Sequence, residues 1–257
     1  MKIVWNSMLI ALGVFGSIFA YMYALANRKQ VKQHAFSVKT DQFEQKQLTL
    51  FFISDIHRRK IDERLLNKIR KFGPIDMVII GGDLAEGGVP VARIEENVEK
   101  LSMLGELFFI WGNNDREVGE DVIRRILQRH GGTLLENSAS GIASHPTWCL
   151  CGTDDPSSNN VDISRALQNS HRYKHLIVAT HSPVLFRKVK EYVQPDLMLA
   201  GHTHGGQIRI GRFGLHPLGK FTVSNAKATL ISNGYGTSII PLRFGAKPEC
   251  HIIRIRY

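Results

Sequence analysis

Five short apolar runs, each stopping at residues able to bind a metal or a phosphate, most constrain the fold of this chain. Residues 48–53 run into Asp55 and His57, and residues 76–80 into Asp83. Residues 107–111 run into Asn113, residues 176–180 into His181, and residues 197–200 into His202 and His204. Runs this short and apolar read as strands buried on both faces. Between them apolar residues recur at helical spacing: Leu65, Leu66, Ile69 and Phe72; Ile94, Val98, Leu101 and Leu104; Val122, Ile123, Ile126 and Leu127; Val184, Leu185 and Val189. Alternation of this kind predicts an α/β domain with parallel pairing and right-handed crossovers. Parallel strands put their carboxyl ends on one edge, where open α/β sheets bind ligands. Topology alone would then bring seven side chains together. Residues 147–152, 207–210, 220–223, 228–232 and 249–256 read as further strands, and 161–168 as a helix.

The residue types narrow the chemistry. Neutral imidazoles are common metal ligands, and Gly201, Gly205 and Gly206 around His202-Thr203-His204 let backbone and cargo approach closely. A mixed His, Asp and Asn set suits zinc, iron or manganese rather than calcium or a thiolate-loving ion. Seven donors exceed what one four-coordinate ion needs. Two ions sharing a carboxylate fit the count, and such pairs, about 3.5–4 Å apart, clamp the attacking and leaving oxygens in phosphoryl hydrolysis while making bound water acidic.

In order along the chain, Asp55-x-His57, Gly82-Asp83, Gly112-Asn113-x-Asp115, His181 and Gly201-His202-x-His204 resemble the calcineurin-like metallophosphoesterase family from about Leu48 onward. The segments Gly152-Thr153-Asp154-Asp155-Pro156, Gly205-Gly206-Gln207-Ile208 and Gly234-Tyr235-Gly236-Thr237-Ser238, with Pro241 and Arg243, resemble its membrane-associated bacterial branch. The resemblance implies a four-layer α-β-β-α sandwich of two mixed sheets. It implies that Asp55, His57 and His204 hold one ion, that Asn113, His181 and His202 hold the other, and that Asp83 bridges them. It also exposes a departure. Where the family usually carries a histidine that contacts the phosphate and protonates the leaving group, this chain has Asn114, with the acidic partner Asp115 kept. An amide cannot be a general acid near neutral pH. The catalytic candidates are therefore Asn114, Asp115 and Arg58, the last able to offset leaving-group charge directly after His57. The expected activity is two-metal hydrolysis of a phosphodiester, phosphomonoester or pyrophosphate. The alternative is a weakly active or non-catalytic metal-binding module of the same fold.

From Ile3 to Ala26 the chain carries no charge. As a helix this stretch reaches about 36 Å at ~1.5 Å per residue, enough to cross a ~30 Å hydrocarbon core. We read residues 1–27 as a single-pass membrane anchor, 28–47 as a basic linker and 48–257 as the catalytic domain. Ala24-Leu25-Ala26 has the form of a cleavage site, so secretion after cleavage near Ala26 is the alternative. Arg28, Lys29 and Lys32 follow the span and only Lys2 precedes it, which places the domain in the cytoplasm. A net charge of +10 favours an anionic partner, here a phosphorylated small molecule or lipid-linked substrate and the membrane itself. No interleaving of aromatic and basic residues marks a nucleic-acid partner. Three cysteines argue against a disulfide framework. Oligomeric state and metal identity are not legible. His34, His130, His171, His175, His216 and His251 read as structural, and His145 as unassigned.

Overall fold

The computed structural model describes residues 2–39 and 46–257. Twelve strands and six α-helices are described, with two six-stranded mixed sheets. The helix α1 (Lys2–Ala26) precedes β1 (Val31–Ser37), β2 (Gln47–Ile53), α2 (Glu63–Arg70), β3 (Met77–Gly81), α3 (Val91–Ser102), β4 (Glu106–Ile110), α4 (Glu120–Arg129) and β5 (Thr133–Leu134). Then come β6 (Ser138–Ile142), β7 (His145–Gly152), α5 (Ile163–Leu167), β8 (His175–Ala179), α6 (Leu185–Tyr192), β9 (Leu197–Ala200), β10 (Lys220–Ser224), β11 (Lys227–Ile231) and β12 (Cys250–Arg256).

The first sheet runs β1-β12-β2-β3-β4-β5 and the second β10-β11-β9-β8-β7-β6. In the first, β2 to β5 are parallel, and β12 lies antiparallel to β2. In the second, β7, β8, β9 and β11 are parallel, with β6 and β10 antiparallel at the edges.

Side-chain alternation along each strand builds the layers. Leu48, Leu50 and Phe52 point between the sheets, where they meet Leu150, Ile177, Leu197 and Leu199. Phe51 and Ile53 point the other way, under the α2–α4 helices, with Leu65, Val98 and Ile126. Cys149, Cys151, Val178 and Met198 face outward from the second sheet onto Ile163, Phe186 and Val189 of α5 and α6. Helices thus cover the outer face of each sheet, giving the α-β-β-α order. Burying each large apolar side chain contributes about 1.5–3 kcal/mol.

Three expectations change. The stretch 28–47 is not only a linker, because β1 within it pairs in parallel with β12 along its whole length; residues 40–45 of that stretch lie outside the described residues. β1 carries little apolar signal, since one face is open, with Phe36 its buried residue. Residues 207–210 form no strand. Ile208 makes isolated bridges to Phe244 and Gly245, because a left-handed Gln207 turns the chain there. The five ligand-bearing ends also do not share one sheet edge: β2, β3 and β4 belong to the first sheet, β8 and β9 to the second.

Candidate metal centre

The carboxyl ends of those five strands meet at one end of the sandwich. His57 Nε2 and His204 Nε2 stand 3.1 Å apart, and Asp55 Oδ1 lies 3.3 Å from the latter. His202 Nδ1 is 2.9 Å from Asn113 Oδ1 and 3.3 Å from His181 Nε2. Asp83 Oδ2 sits between the two groups, 3.6 Å from His57 Nε2 and 3.4 Å from His181 Nε2. All seven sequence candidates are therefore assembled. Asp55 is close enough to Asp83 and His181 to reach the second group as well as the first.

The backbone is bent to aim them. Asp55, His57, Asp83, His202 and His204 all have φ between 49° and 70°. Non-glycine residues are uncommon there, and such conformations cluster at functional sites. The glycines clear the space. A Cβ on Gly82 would lie 2.4 Å from His181 Nδ1, and one on Gly201 would lie 2.5 Å from Asp55 Oδ2.

Surrounding hydrogen bonds hold each donor. His181 Nδ1 donates to the Gly81 carbonyl at 2.8 Å, which fixes its tautomer and leaves Nε2 facing the site. The His202 N–H donates to Asp55 Oδ1 at 3.0 Å. Arg243, fully buried, donates to the carbonyls of Asn233 and Gly236 at 2.7 and 2.6 Å, and its Nη2 is 3.1 Å from His204 Nδ1.

Glu86, which sequence reasoning missed, has Oε2 3.0 Å from His57 Nδ1. Its only signal is an acidic side chain three residues after Asp83, too weak to separate from a solvated loop.

The catalytic candidates occupy different places. Asn114 donates to both oxygens of Asp83, from its backbone N–H and from Nδ2, each at 2.9 Å. Asp115 is wholly buried and accepts N–H groups from Gly112, Asp83 and Ala85 at 2.7, 2.9 and 3.2 Å. It ties the β3 and β4 loops together and acts as a positioning residue. Arg58 is exposed and pairs with Glu86. Its neighbour Arg59 lies over the Tyr235 ring and donates to the carbonyls of Asn27 and Arg28, fastening the end of α1 to the domain. His145 is structural: Nδ1 lies 2.6 Å from the Tyr257 hydroxyl and Nε2 3.3 Å from Asp76.

Electrostatics polarise the site. Burial pulls His181 down, but the Asp83 and Asp55 carboxylates overcome it and lift its pKa to about 10. Burial works to raise Asp83, yet His181, His57 and the Asn114 N–H hold it well below the ordinary carboxylate range. Burial, with the Asp83 charge, pushes Asp115 up against the pull of its N–H donors. Burial lowers His202, reinforced by His181, and drops His204 to about 3. Nitrogen and carboxylate donors crowded this closely, with neutral imidazoles among them, fit divalent cations of the zinc, iron and manganese kind.

Fold and site together fit a phosphoesterase architecture with two adjoining groups of candidate metal ligands. A family profile described as calcineurin-like phosphoesterase matches residues 48–206, and the chain belongs to that family. It is 43% identical to a Bacillus subtilis protein described as uncharacterized protein YpbG, over 92% of this chain and 91% of that one. A zebrafish transmembrane protein with metallophosphoesterase domain is 28% identical over 79% of this chain and 52% of its own length. A solved 5'-nucleotidase precursor from Thermus thermophilus shares the fold with a TM-score of 0.54 at 12% identity, covering 81% of this chain and 55% of that one.

Proposed function

We propose that this protein is a membrane-anchored, two-metal phosphoesterase that hydrolyses a phosphodiester, phosphomonoester or pyrophosphate. The convergence of seven donors from two sheets, five of them on left-handed backbone, carries the reading. Asp55, His57 and His204 would hold one ion, Asn113, His181 and His202 the other, and Asp83 both. The ions, manganese, iron or zinc, supply an activated water and positive charge for the phosphoryl oxygens. The chain's own residues do the rest. The Gly81 carbonyl orients His181, Glu86 stands beside His57, Asp115 shapes the loop under Asp83, and Asn114 keeps one Nδ2 hydrogen beyond its two bonds to Asp83 to offer to a phosphate oxygen. The substrate is a phosphorylated small molecule or a lipid-linked phosphate. Val4, Trp5, Ile10 and Phe15 are exposed along α1, whose 23-residue apolar stretch Val4–Ala26 is long enough to cross a membrane. We place the domain on the cytoplasmic side of the cell membrane.

Nitrophenyl phosphate mono- and diesters, assayed with added manganese, test the reading. Asp83→Ala should lower turnover by at least about a hundredfold, since a bridging ligand supports several kcal/mol of charge stabilisation. Wild-type-like rates in that variant would sink the proposal. The pairing of Asn114 with Asp83 favours a second reading, a metal-binding module without turnover. Hydrolysis by the purified chain that disappears with Asp83→Ala removes it.

A further inference from the structure

Two loops flank the end of α1 and project apolar side chains into open space. Ile210, Phe213 and Leu215 on the first are 74%, 70% and 89% exposed, and Ile239 on the second is 97% exposed. These loops are held rather than floppy. Buried Arg209 donates to the carbonyls of Gly205, Gly211, Arg212 and His216, closing the first loop on itself. Gln207 donates from Nε2 to the Ser238 and Ile240 carbonyls and accepts the Ser238 N–H, joining the two loops. A rigid scaffold that presents four large apolar side chains to water marks a contact surface.

Two further observations identify what the surface contacts. The first is position. The Arg243 N–H donates to the Met22 carbonyl of α1 at 3.2 Å, and the Phe244 ring meets Tyr21 edge-on at 6.1 Å. If Val4–Ala26 crosses a ~30 Å core, Tyr21 and Met22 sit near headgroup level, and the loops bonded beside them sit there too. The second is charge. Between Asp196 and Glu249 the chain has no acidic residue, and Arg212, Lys220 and Lys247 stand exposed on it. An acid-free, basic segment with protruding apolar side chains matches an anionic leaflet.

We propose that residues 207–219 and 237–242 form a second membrane contact, with Ile210, Phe213, Leu215 and Ile239 seated in the lipid interface beside α1. The inference rests on α1 lying in a membrane. Its consequence concerns the metal centre. A cavity of about 450 Å³ opens between Tyr23 and Ala26 of α1, Ile239 and Pro241 of the second loop, and Arg58 and Glu86. Glu86 is the residue that touches His57. The contact sets this cavity, whose lining residue Glu86 stands beside the metal centre, at the level of the phospholipid headgroups.

Depth-resolved spin labelling of the full chain in phosphatidylethanolamine–phosphatidylglycerol vesicles tests this. The native cysteines are all buried, so a single introduced cysteine takes the label. Phe213→Cys and Ile239→Cys are the reporters. Leu12→Cys reports mid-helix, and Met103→Cys, exposed ahead of β4 at the opposite edge of the sheet, reports water. The expected result is an oxygen-to-nickel accessibility ratio several-fold higher at Phe213→Cys and Ile239→Cys than at Met103→Cys. A Met103-like ratio at both reporters, with Leu12→Cys in lipid, overturns the proposal and leaves the anchor standing. A Leu12→Cys label in water overturns the anchor itself. Low accessibility to both reagents at the reporters means another protein chain covers the loops, and also overturns the proposal. Two reporters on separate loops keep the test open should one variant fail to fold.

Discussion

Asn114 is where this chain departs from its family's pattern, and its neighbours show what the change does. Both Asn114 donors are turned onto Asp83, the carboxylate between the two histidine groups. A histidine there would keep the backbone contact and replace the amide with a group that can carry a proton near neutral pH. General acid catalysis contributes typically ~10²–10⁴-fold, and it matters most for leaving groups that depart poorly as anions. Asn114→His should therefore raise turnover of alkyl phosphates by about tenfold or more relative to nitrophenyl esters. Parallel kinetics on the two ester classes check it; an unchanged ratio would mean that position 114 does not face the leaving group.

At the scale of elements, the five strand ends and their seven donors were legible because each sits where an apolar run stops. The helices were legible for a similar reason: Leu65, Leu66 and Ile69 recur on one face, and the structure adds Asp62 capping the start of α2. What escaped the sequence were features with no periodic signature. β1 reads as linker because its partner β12 lies more than two hundred residues away, and the pairing shows only in the folded chain. Glu86 and the loop-fastening roles of Arg209 and Asp115 depend on tertiary approach in the same way. The β1–β12 pairing nevertheless has a measurable consequence. His34 of β1 and His251 of β12 face each other at 3.1 Å, and His251 Nε2 reaches Ser232 Oγ at 2.9 Å. Burial, aided by Lys32, lowers His34 to about 4; burial, then His34 and Lys32, hold His251 well below 6.5, although Glu249 stands 3.6 Å away. A depressed histidine binds its proton more tightly unfolded than folded. Its stabilisation is complete above the unfolded value near 6.5 and is lost as pH falls toward the folded value. His34 and His251 should therefore lower the melting temperature as pH falls from 7 to 5. Melts in chelator at pH 7 and pH 5 measure it, with His251→Gln as reference. An equal fall in the variant would trace the effect to other groups.

For the whole molecule, the division of the ligands is what matters. Asp55, His57, Asp83 and Asn113 come from the first sheet, and His181, His202 and His204 from the second. Between the layers the sheets meet mainly through apolar side chains, which are non-directional, with a few polar contacts such as His181 Nδ1 to the Gly81 carbonyl and His145 to Tyr257. A bound ion pair at this seam would tie the two sheets at the end where the left-handed ligand residues crowd. Anything that binds the folded state alone stabilises it by mass action, ~2.7 kcal/mol at a hundredfold excess over Kd. For a domain of 150–250 residues that corresponds to about 5–11 °C. Manganese should raise the melting temperature by this amount and a chelator should reverse it. The gain should shrink in both Asp55→Ala and His202→Ala, which remove one ligand from each sheet. If either variant kept the full gain, the stabilising ion would not be held across the seam. Because the same ligands would carry hydrolysis, loss of metal stabilisation and loss of turnover should rise together across the variants. A variant that loses turnover while keeping the thermal gain would separate the seam from the chemistry.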